Sequence, residues 1–514
     1  MKAFLLYRDR DLEPQQPLPW NADALVQDLE LTTLFAAMAL DDKHIFEVVQ
    51  KVVLGSVNDS NTIRYRQDIL RDCLTNAAVV RQIYDLATEA IAEERRLSWW
   101  SSFRLPISIL HRSVDVLQMF VGMLKRLRTI VDDHAGGFQS EGFHGLFETL
   151  KQELGDDYFA QVQDHLRRLK FRDGVLMSAE LGEGNKGVNY VLRKPHVNNQ
   201  AWVERLFAQK APVYTFRLHP RDEAGARALS DLRDRGINLV ANALAQSTDH
   251  ILSFFAMLRT ELAFYVGCLN LYDRLGQKNE PVCFPVPAPA EQRRHAFKGL
   301  YDVCLRLSQE GRVVGNEVNA DEKDLVIITG ANQGGKSTFL RSIGLAQLML
   351  QCGMFVPAES FEANICNGLF THYKREEDPT MKSGKFDEEL SRMSEIADHV
   401  TANALVLFNE SFAATNEREG SEIARQITAA LLDGGVKVFF VTHLYEFARR
   451  VHETQMDNAM FLRAERQPDG SRTFKLIEAE PLETTYGEDL YRRIFDHGSE
   501  EPGRAVGVVT AGPR

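Results

Sequence analysis

A glycine-rich segment in the last third of the chain carries the residue types that bind phosphate groups. It reads GANQGGKS from Gly330 to Ser337, follows a β-branched run at 325–328 and precedes an apolar segment at 338–350. The two flanking segments predict a strand and a helix, the context that the GxxxxGK[ST] pattern requires. The alternative is an accidental glycine-rich turn, and the flanking strand and helix weigh against it.

The chemistry of phosphate binding explains why these residue types are needed. Glycines let the backbone curl so that its N–H groups point at phosphate oxygens, and the helix start adds its positive dipole end. Lys336 can reach the β- and γ-phosphates, and the Ser337 hydroxyl can bind Mg²⁺. The predicted nucleotide-binding residues are Gly330, Ala331, Asn332, Gln333, Gly334, Gly335, Lys336, Ser337 and Thr338.

A second candidate strand, at 404–408, is followed by Asn409 and Glu410. P-loop ATPases usually have Asp-Glu here, where the Asp holds the Mg²⁺ shell and the Glu orients or deprotonates water. An amide can still accept a hydrogen bond from a magnesium-bound water, but it brings no negative charge. We therefore predict Asn409 as a metal-shell residue and Glu410 as the candidate base; the alternative is that both merely end a strand.

A third candidate strand, at 437–442, leads to His443. A histidine at the end of a strand beside a nucleotide can sense the γ-phosphate, so His443 is the second predicted catalytic residue. A lone histidine outside such a context is usually structural.

Five short segments resemble the MutS mismatch-repair ATPase family in their order and spacing, over about residues 312–450. They are similar to the family's VPN segment, its extended Walker A motif, its GxxVPA element, its Walker B motif with the following loop, and its ATH switch. In this sequence they are residues 314–316, 327–338, 353–359, 408–415 and 440–443.

This resemblance implies properties that the residues alone do not. It implies that the nucleotide is ATP, that Asn316 lies near the adenine, and that two copies form a homodimer with composite ATP sites. It also implies DNA as a partner, whether mismatched, branched or plain duplex. A signature segment of one subunit would face the other subunit's ATP; residues 383–390 replace the usual serine segment here, so Ser383 and Gly384 are the candidates for that contact.

The segments upstream predict long helices that would position this site. Apolar residues alternate three- and four-residue steps from Ile107 to Leu127, and a similar stripe runs from Ile251 to Tyr265. We expect two helices packed on each other within one arm; an intermolecular coiled coil is the alternative. The glycine-containing stretch at 174–218 predicts a small strand-containing insertion, and the proline-dense run at 281–289 predicts a linker.

The sequence as a whole predicts a multidomain protein, with a mainly α-helical core and lever region followed by an α/β P-loop NTPase domain. The predicted segments are a helical core-domain start at 1–99, lever arms with a clamp-like insertion at 100–280, the ATPase domain at 281–497 and a flexible tail at 498–514. Relative to the family, we expect no counterpart of the N-terminal mismatch-reading and connector domains.

Composition narrows the class of protein. The chain has 514 residues, 44% of them hydrophobic and 26% charged, so several globular domains are expected. Its net charge of −12 weighs against coating nucleic acid through bulk charge but allows a local basic groove. No stretch has the apolar length expected of a membrane span, and the six scattered cysteines form no CxxC pair. A reducing cytoplasm is the predicted location.

Three functions remain open at this point. The first is an ATPase that clamps structured DNA in repair or recombination. The second is a nucleotide-gated protein-interaction switch, in which Asn409 makes hydrolysis slow. The third is a structural-maintenance type ATPase, which is disfavoured because the helical region precedes the glycine-rich loop.

Overall fold

The computed structural model describes residues 2–13, 15–99, 105–171, 174–193, 215–375 and 384–482. The chain divides into two compact units. Unit 1 comprises Met1–Leu12 and Asp72–Leu262, and unit 2 comprises Glu13–Arg71 and Ala263–Arg514. The helices are α1 (Ala22–Asp28), α2 (Leu31–Ala39), α3 (Lys43–Leu54), α4 (Ser60–Thr75), α5 (Ala77–Trp99), α6 (Pro106–His134), α7 (Glu141–Glu153), α8 (Asp156–Arg168), α9 (Glu223–Gln277), α10 (Val303–Ser308), α11 (Lys336–Gln351), α12 (Lys385–His399), α13 (Glu417–Asp433) and α14 (Tyr445–Glu453).

Unit 1 is mainly helical, and the two predicted apolar stripes lie on α6 and α9. The stripe residues from Leu110 to Leu127 are buried on α6, which begins with Pro106 in its first turn. The rings of Phe120 on α6 and Phe255 on α9 stack at 5.7 Å between centroids. The two helices are therefore in contact within one chain, as expected, and α6 also packs against α5.

Both long helices contain longer apolar stretches than we expected from the sequence. By length and composition alone, Pro106–Gly137 and Glu223–Gln277 could each cross a membrane, which corrects the expectation that no stretch reaches that length. However, 50% and 67% of their most apolar windows are buried inside the protein. Such burial is typical of core helices, whose apolar face packs against protein rather than lipid.

The predicted insertion contains an antiparallel hairpin of β1 (Met177–Leu181) and β2 (Gly187–Leu192). Residues 194–214 of the predicted insertion lie outside the described part of the chain.

The strands of unit 2 are β3 (Val286–Ala288), β4 (His295–Leu300), β5 (Asn316–Asn319), β6 (Leu325–Gly330), β7 (Ser360–Asn364), β8 (Leu369–Tyr373), β9 (Leu405–Asn409), β10 (Lys437–Val441), β11 (Ala459–Arg466) and β12 (Arg472–Glu478). Six of them form a sheet in the order β12-β11-β6-β10-β9-β8. Neighbouring strands of this sheet run parallel except for β12, which is antiparallel to β11.

Helices cover both faces of this sheet, as a buried parallel sheet requires. On one face, Leu325, Val406 and Val438 pack with α12, α13 and α14 in a single apolar core. On the other face lies α11, whose Gly344 approaches Leu407 so closely that an added Cβ would meet its side chain at 2.8 Å. This sandwich fixes the strand ends from which the site is built.

A smaller sheet has the order β3-β7-β4-β5. Its edge strand β3 lies within the proline-dense run at 281–289, so that run is not only a linker. Proline is tolerated there because an edge strand leaves one side of its backbone unpaired.

The short helices at the start of the chain belong to unit 2, together with the α/β part. The Arg66 guanidinium donates to the Cys352 carbonyl at 3.3 Å, and the Gln67 amide donates to the Pro285 carbonyl at 2.9 Å. These bonds join residues 13–71 to the α/β elements. Residues 498–514, the predicted tail, lie outside the described part of the chain, and the predicted domain boundaries stay a prediction.

Candidate nucleotide-binding site

The glycine-rich loop joins β6 to α11 in a conformation that glycine makes possible. Gly330 and Gly335 have φ angles of 112° and 88°, in the left-handed region that side chains disfavour. A Cβ on Gly334 would lie 2.7 Å from the Ala464 Cβ. Conformation and space thus both require glycine here, and the loop leads directly into the first turn of α11, whose N–H groups have no partner within the helix.

Lys336 is the buried cation of the loop. Its ammonium donates to the carbonyl oxygens of Gly330 and Ala331 at 3.0 Å each, and the residue is only 5% exposed. Burial lowers the pKa of Lys336 to about 8, and the charge of Arg472 acts in the same direction, whereas Glu410 opposes it. An anion at the loop would offset that cost of burial and favour the charged ammonium.

Ser337 and Asn409 meet at the end of β9. The Ser337 hydroxyl donates to Asn409 Oδ1 at 2.9 Å. The two residues predicted to hold the metal shell are therefore in direct contact. Both offer oxygen atoms, the donor type that Mg²⁺ prefers, but neither oxygen carries a negative charge.

Glu410 and His443 form the second pair at this edge of the sheet. His443 Nε2 lies 2.9 Å from Glu410 Oε1, and the Glu410 backbone N–H donates to the Val441 carbonyl at 2.9 Å. The hydrogen bond from His443 holds the pKa of Glu410 below its usual value, although burial opposes that shift. Glu410 is consequently an ionised carboxylate at neutral pH, aligned by its neighbour.

The turn after Glu410 is fixed by a buried histidine on β8. The Ser411 hydroxyl donates to the His372 carbonyl at 2.6 Å, and His372 Nδ1 lies 2.7 Å from the same hydroxyl. The Phe412 ring stacks on the His372 imidazole at 5.3 Å. Burial lowers the pKa of His372 to about 4, so this support is neutral at ordinary pH.

A cavity of about 390 Å³ opens beside the loop. Gln333, Gly335, Thr338 and Asn316 all line it, together with Phe474 of β12. The Asn316 side chain donates to the Phe474 carbonyl at 3.3 Å and accepts from the Leu476 N–H at 2.8 Å. Asn316 thus lies in the cavity wall while its amide holds β12 in place.

Of the two residues predicted to contact the ATP of a second subunit, the structure describes Gly384. Ser383 lies outside the described residues. Gly384 precedes α12 as its N-cap, with φ −66°, and a Cβ added there would meet nothing within 4 Å.

Two family models match this chain. The MutS2 N-terminal domain matches residues 58–278, and MutS domain V matches residues 326–493, which includes the loop and both side-chain pairs. The chain belongs to the MutS family.

Curated relatives of this MutS-family chain carry the name DNA mismatch repair protein MutS. The one from Thermotoga sp. (strain RQ2) is 34% identical over 206 residues, which are 40% of this chain and 26% of that protein. The one from Lactobacillus acidophilus is 30% identical over 41% of this chain and 26% of its own length. The Clostridium kluyveri protein is 25% identical over 61% of this chain and 36% of its own. The chain thus spans about a quarter to a third of these relatives.

The donor set of this MutS-family chain fits a nucleoside triphosphate with Mg²⁺. Phosphate oxygens would be bound by the glycine-dependent loop, by the buried Lys336 ammonium and by the N-terminal N–H groups of α11. Ser337 with Asn409 would hold the metal shell, which supplies Lewis-acid charge when bound. The cavity beside Asn316 has room for a base.

The β11–β12 hairpin brings two further residues to the site, Arg472 and Phe474, which the sequence did not predict. Arg472 Nε donates to the Asn332 carbonyl at 3.3 Å, across 140 positions of sequence. The only sequence signal is the Asp469-Gly470 turn between two β-leaning runs, which predicts a hairpin but not where it packs.

Proposed function

We propose that this MutS-family chain binds and hydrolyses ATP, and that the nucleotide controls how a homodimer grips DNA in repair or recombination. One observation carries the proposal. Three groups of side chains converge at the carboxyl ends of the neighbouring strands β6, β10 and β9. They are Lys336, the Ser337–Asn409 pair and the Glu410–His443 pair. Ligands of open α/β sheets bind at this edge.

Each group has a distinct role in the proposed reaction. The loop amides and the Lys336 ammonium bind the β- and γ-phosphates, with the adenine in the cavity beside Asn316. The ionised Glu410 carboxylate accepts a proton from the attacking water, and His443 holds that carboxylate in place. Asn409 gives the metal shell a hydrogen-bond acceptor without charge, so hydrolysis is slow for a P-loop ATPase.

The homodimer and the DNA partner are proposed from membership of the family and not from the geometry of the site. MutS-family relatives are ATPases, and the relatives above are named for DNA mismatch repair. Gly384 and Ser383 would face the nucleotide of the second copy. Closure of the two ATPase domains would then change the grip of the helical arms on mismatched, branched or duplex DNA.

The proposal is tested by nucleotide binding and turnover in the full chain. Lys336→Ala should weaken ATP binding ~100-fold or more, because a buried charge-assisted contact to phosphate is lost, while the far-ultraviolet circular dichroism stays unchanged. Lys298→Ala removes an exposed ammonium paired with Glu359 on the small sheet and is the matched control. ATP affinity in Lys336→Ala equal to that of the control would refute the phosphate cradle.

A second function is favoured by one observation, the neutral Asn409 beside Ser337. It is a nucleotide-gated protein-interaction switch with slow hydrolysis and no mismatch recognition. ATPase rates measured with branched, mismatched and plain duplex DNA at low salt separate the two. Stimulation by any of these DNAs supports the clamp; nucleotide binding without any DNA effect supports the switch.

A further inference from the structure

Lys374 is a second lysine at the edge of the sheet where the nucleotide site lies. It follows β8, whose last residue, Tyr373, is in register with Asn409 of β9. The Lys374 backbone N–H donates to the Asn409 carbonyl at 2.9 Å. The main chain of Lys374 is therefore fixed directly beside the strand end that carries Asn409 and Glu410.

The side chain of Lys374 is exposed, yet its charge acts on the site. Its ammonium contributes to lowering the pKa of Glu410, after the larger effects of His443 and Lys336. Within the described residues, Lys374 forms no ion pair, but it lines a small depression together with Glu388 and Glu389 of α12. A flexible four-carbon stem can carry this ammonium toward a phosphate group placed between Lys336 and Glu410.

The positive charge of Lys374 changes the charge balance of this site relative to the usual P-loop site. A P-loop site with one lysine and an aspartate at the Asn409 position has no net charge from these two groups, and a divalent cation must supply the positive charge. Here Asn409 is neutral, so Lys336 and Lys374 together contribute two positive charges without any metal. That equals the charge of the usual site after it has bound Mg²⁺. A nearby ammonium also disfavours a divalent cation.

We infer that Lys374 contacts the terminal phosphate of the bound nucleoside triphosphate, and that this chain consequently binds the triphosphate without requiring the divalent cation that Ser337 and Asn409 would hold for hydrolysis. The inference rests on the proposed function, because it needs a nucleotide at the loop. It assigns to Lys374 the discrimination of a triphosphate from a diphosphate, since the inferred contact is to the terminal phosphate, which a diphosphate lacks.

The experiment measures the dissociation constants of ATP and ADP by calorimetry, in excess Mg²⁺ and in excess EDTA. Wild-type protein should bind ATP in EDTA within about tenfold of its affinity in Mg²⁺. Lys374→Ala should lose about tenfold or more of its ATP affinity in EDTA, the value of one charge-assisted contact, and little of its ADP affinity. Lys374→Arg keeps the positive charge and should restore most of the ATP affinity.

Two further variants sharpen the test. Lys298→Ala, the exposed lysine of the small sheet, should bind both nucleotides as the wild type does. Asn409→Asp combined with Lys374→Ala restores the usual charge arrangement and should make ATP binding strictly dependent on Mg²⁺.

The outcomes separate the inference from the proposed function. If the wild type binds ATP only with Mg²⁺, or if Lys374→Ala binds ATP and ADP in EDTA as the wild type does, the inference is wrong and the nucleotide site stands. If Lys374→Ala weakens ATP and ADP equally, Lys374 supports the fold of the loop and does not touch the terminal phosphate, which also overturns the inference. If the wild type binds no nucleotide under either condition, the proposed function itself is wrong.

Discussion

At the scale of single residues, Asn409 is the position at which this site departs most from the usual P-loop ATPase. Its amide oxygen accepts from the Ser337 hydroxyl at 2.9 Å, so a carboxylate at the same place would face the same hydroxyl. Asn409→Asp adds a negative charge to the metal shell and should tighten Mg²⁺ binding about tenfold, with faster hydrolysis. The measurement is the Mg²⁺ concentration that gives half-maximal ATPase activity.

The matched control for this change is Asn367→Asp. Asn367 precedes β8 at the opposite end of the sheet, where its amide donates to the Ala402 carbonyl at 2.8 Å. This substitution adds the same negative charge far from the strand ends that form the site. An Mg²⁺ dependence unchanged in Asn409→Asp, or changed equally in both variants, would mean that Asn409 does not touch the metal shell.

The sequence could predict the residues of this site that its local motifs contain. The loop from Gly330 to Ser337, and the positions of Asn409, Glu410 and His443 at strand ends, follow from hydrophobic runs and their lengths. The contact of Glu410 with His443 follows once β9 and β10 are parallel neighbours, whereas the contact of Ser337 with Asn409 also depends on the order β6-β10-β9. Arg472 and His372 could not be predicted, because their positions depend on which edge each strand takes in the sheet.

At the scale of elements, periodicity predicted α6 and α9 because their buried faces repeat over many turns. It failed for β3, where a three-residue strand in a proline-dense run leaves no periodic signal. Periodicity also did not predict that the backbone of residues 5–12 is held by a single buried carboxylate. The Leu5, Leu6 and Leu12 backbone N–H groups all donate to Glu261 on α9.

The Glu261 anchor makes stability depend on pH. Burial raises the pKa of Glu261 to about 7, although the backbone donors lower it. The folded protein therefore binds a proton that the unfolded chain releases near its ordinary pKa of 4.5. The free energy of unfolding should fall as pH rises from about 4.5 to about 8, by up to ~3 kcal/mol from this group. Urea unfolding across that range, followed by circular dichroism, measures the slope.

Glu261→Gln removes the titrating group and should flatten that slope. The variant loses some stability at every pH, because an amide cannot accept from all three backbone donors at once. Glu148→Gln, an exposed position on α7, should keep the wild-type slope. A slope in Glu261→Gln as steep as in the Glu148→Gln control would assign the pH dependence to other groups.

At the scale of the whole molecule, the proposed homodimer can be tested at Gly384, one of the two residues predicted to contact the ATP of a second copy. Gly384 begins α12 with an ordinary φ of −66° and with space around its Cα, so a large side chain there should not disturb the monomer. If Gly384 faces the ATP of a second copy, Gly384→Trp should leave nucleotide affinity within about twofold and abolish ATP-dependent dimers, because a bulky side chain at a close-packed contact blocks closure. Sedimentation velocity with and without ATP measures the dimer.

The decisive comparison uses a background in which ATP persists. Glu410→Gln removes the candidate base and should slow hydrolysis ~100-fold or more without weakening binding, so that ATP-bound protein accumulates. In that background, Gly276→Trp serves as the bulk control, since a Cβ at Gly276 near the end of α9 also meets nothing within 4 Å. Dimers that form with Gly276→Trp but not with Gly384→Trp would place α12 at the interface. Dimers that persist in both would require the second copy to bind elsewhere, and the composite ATP site would have to be abandoned.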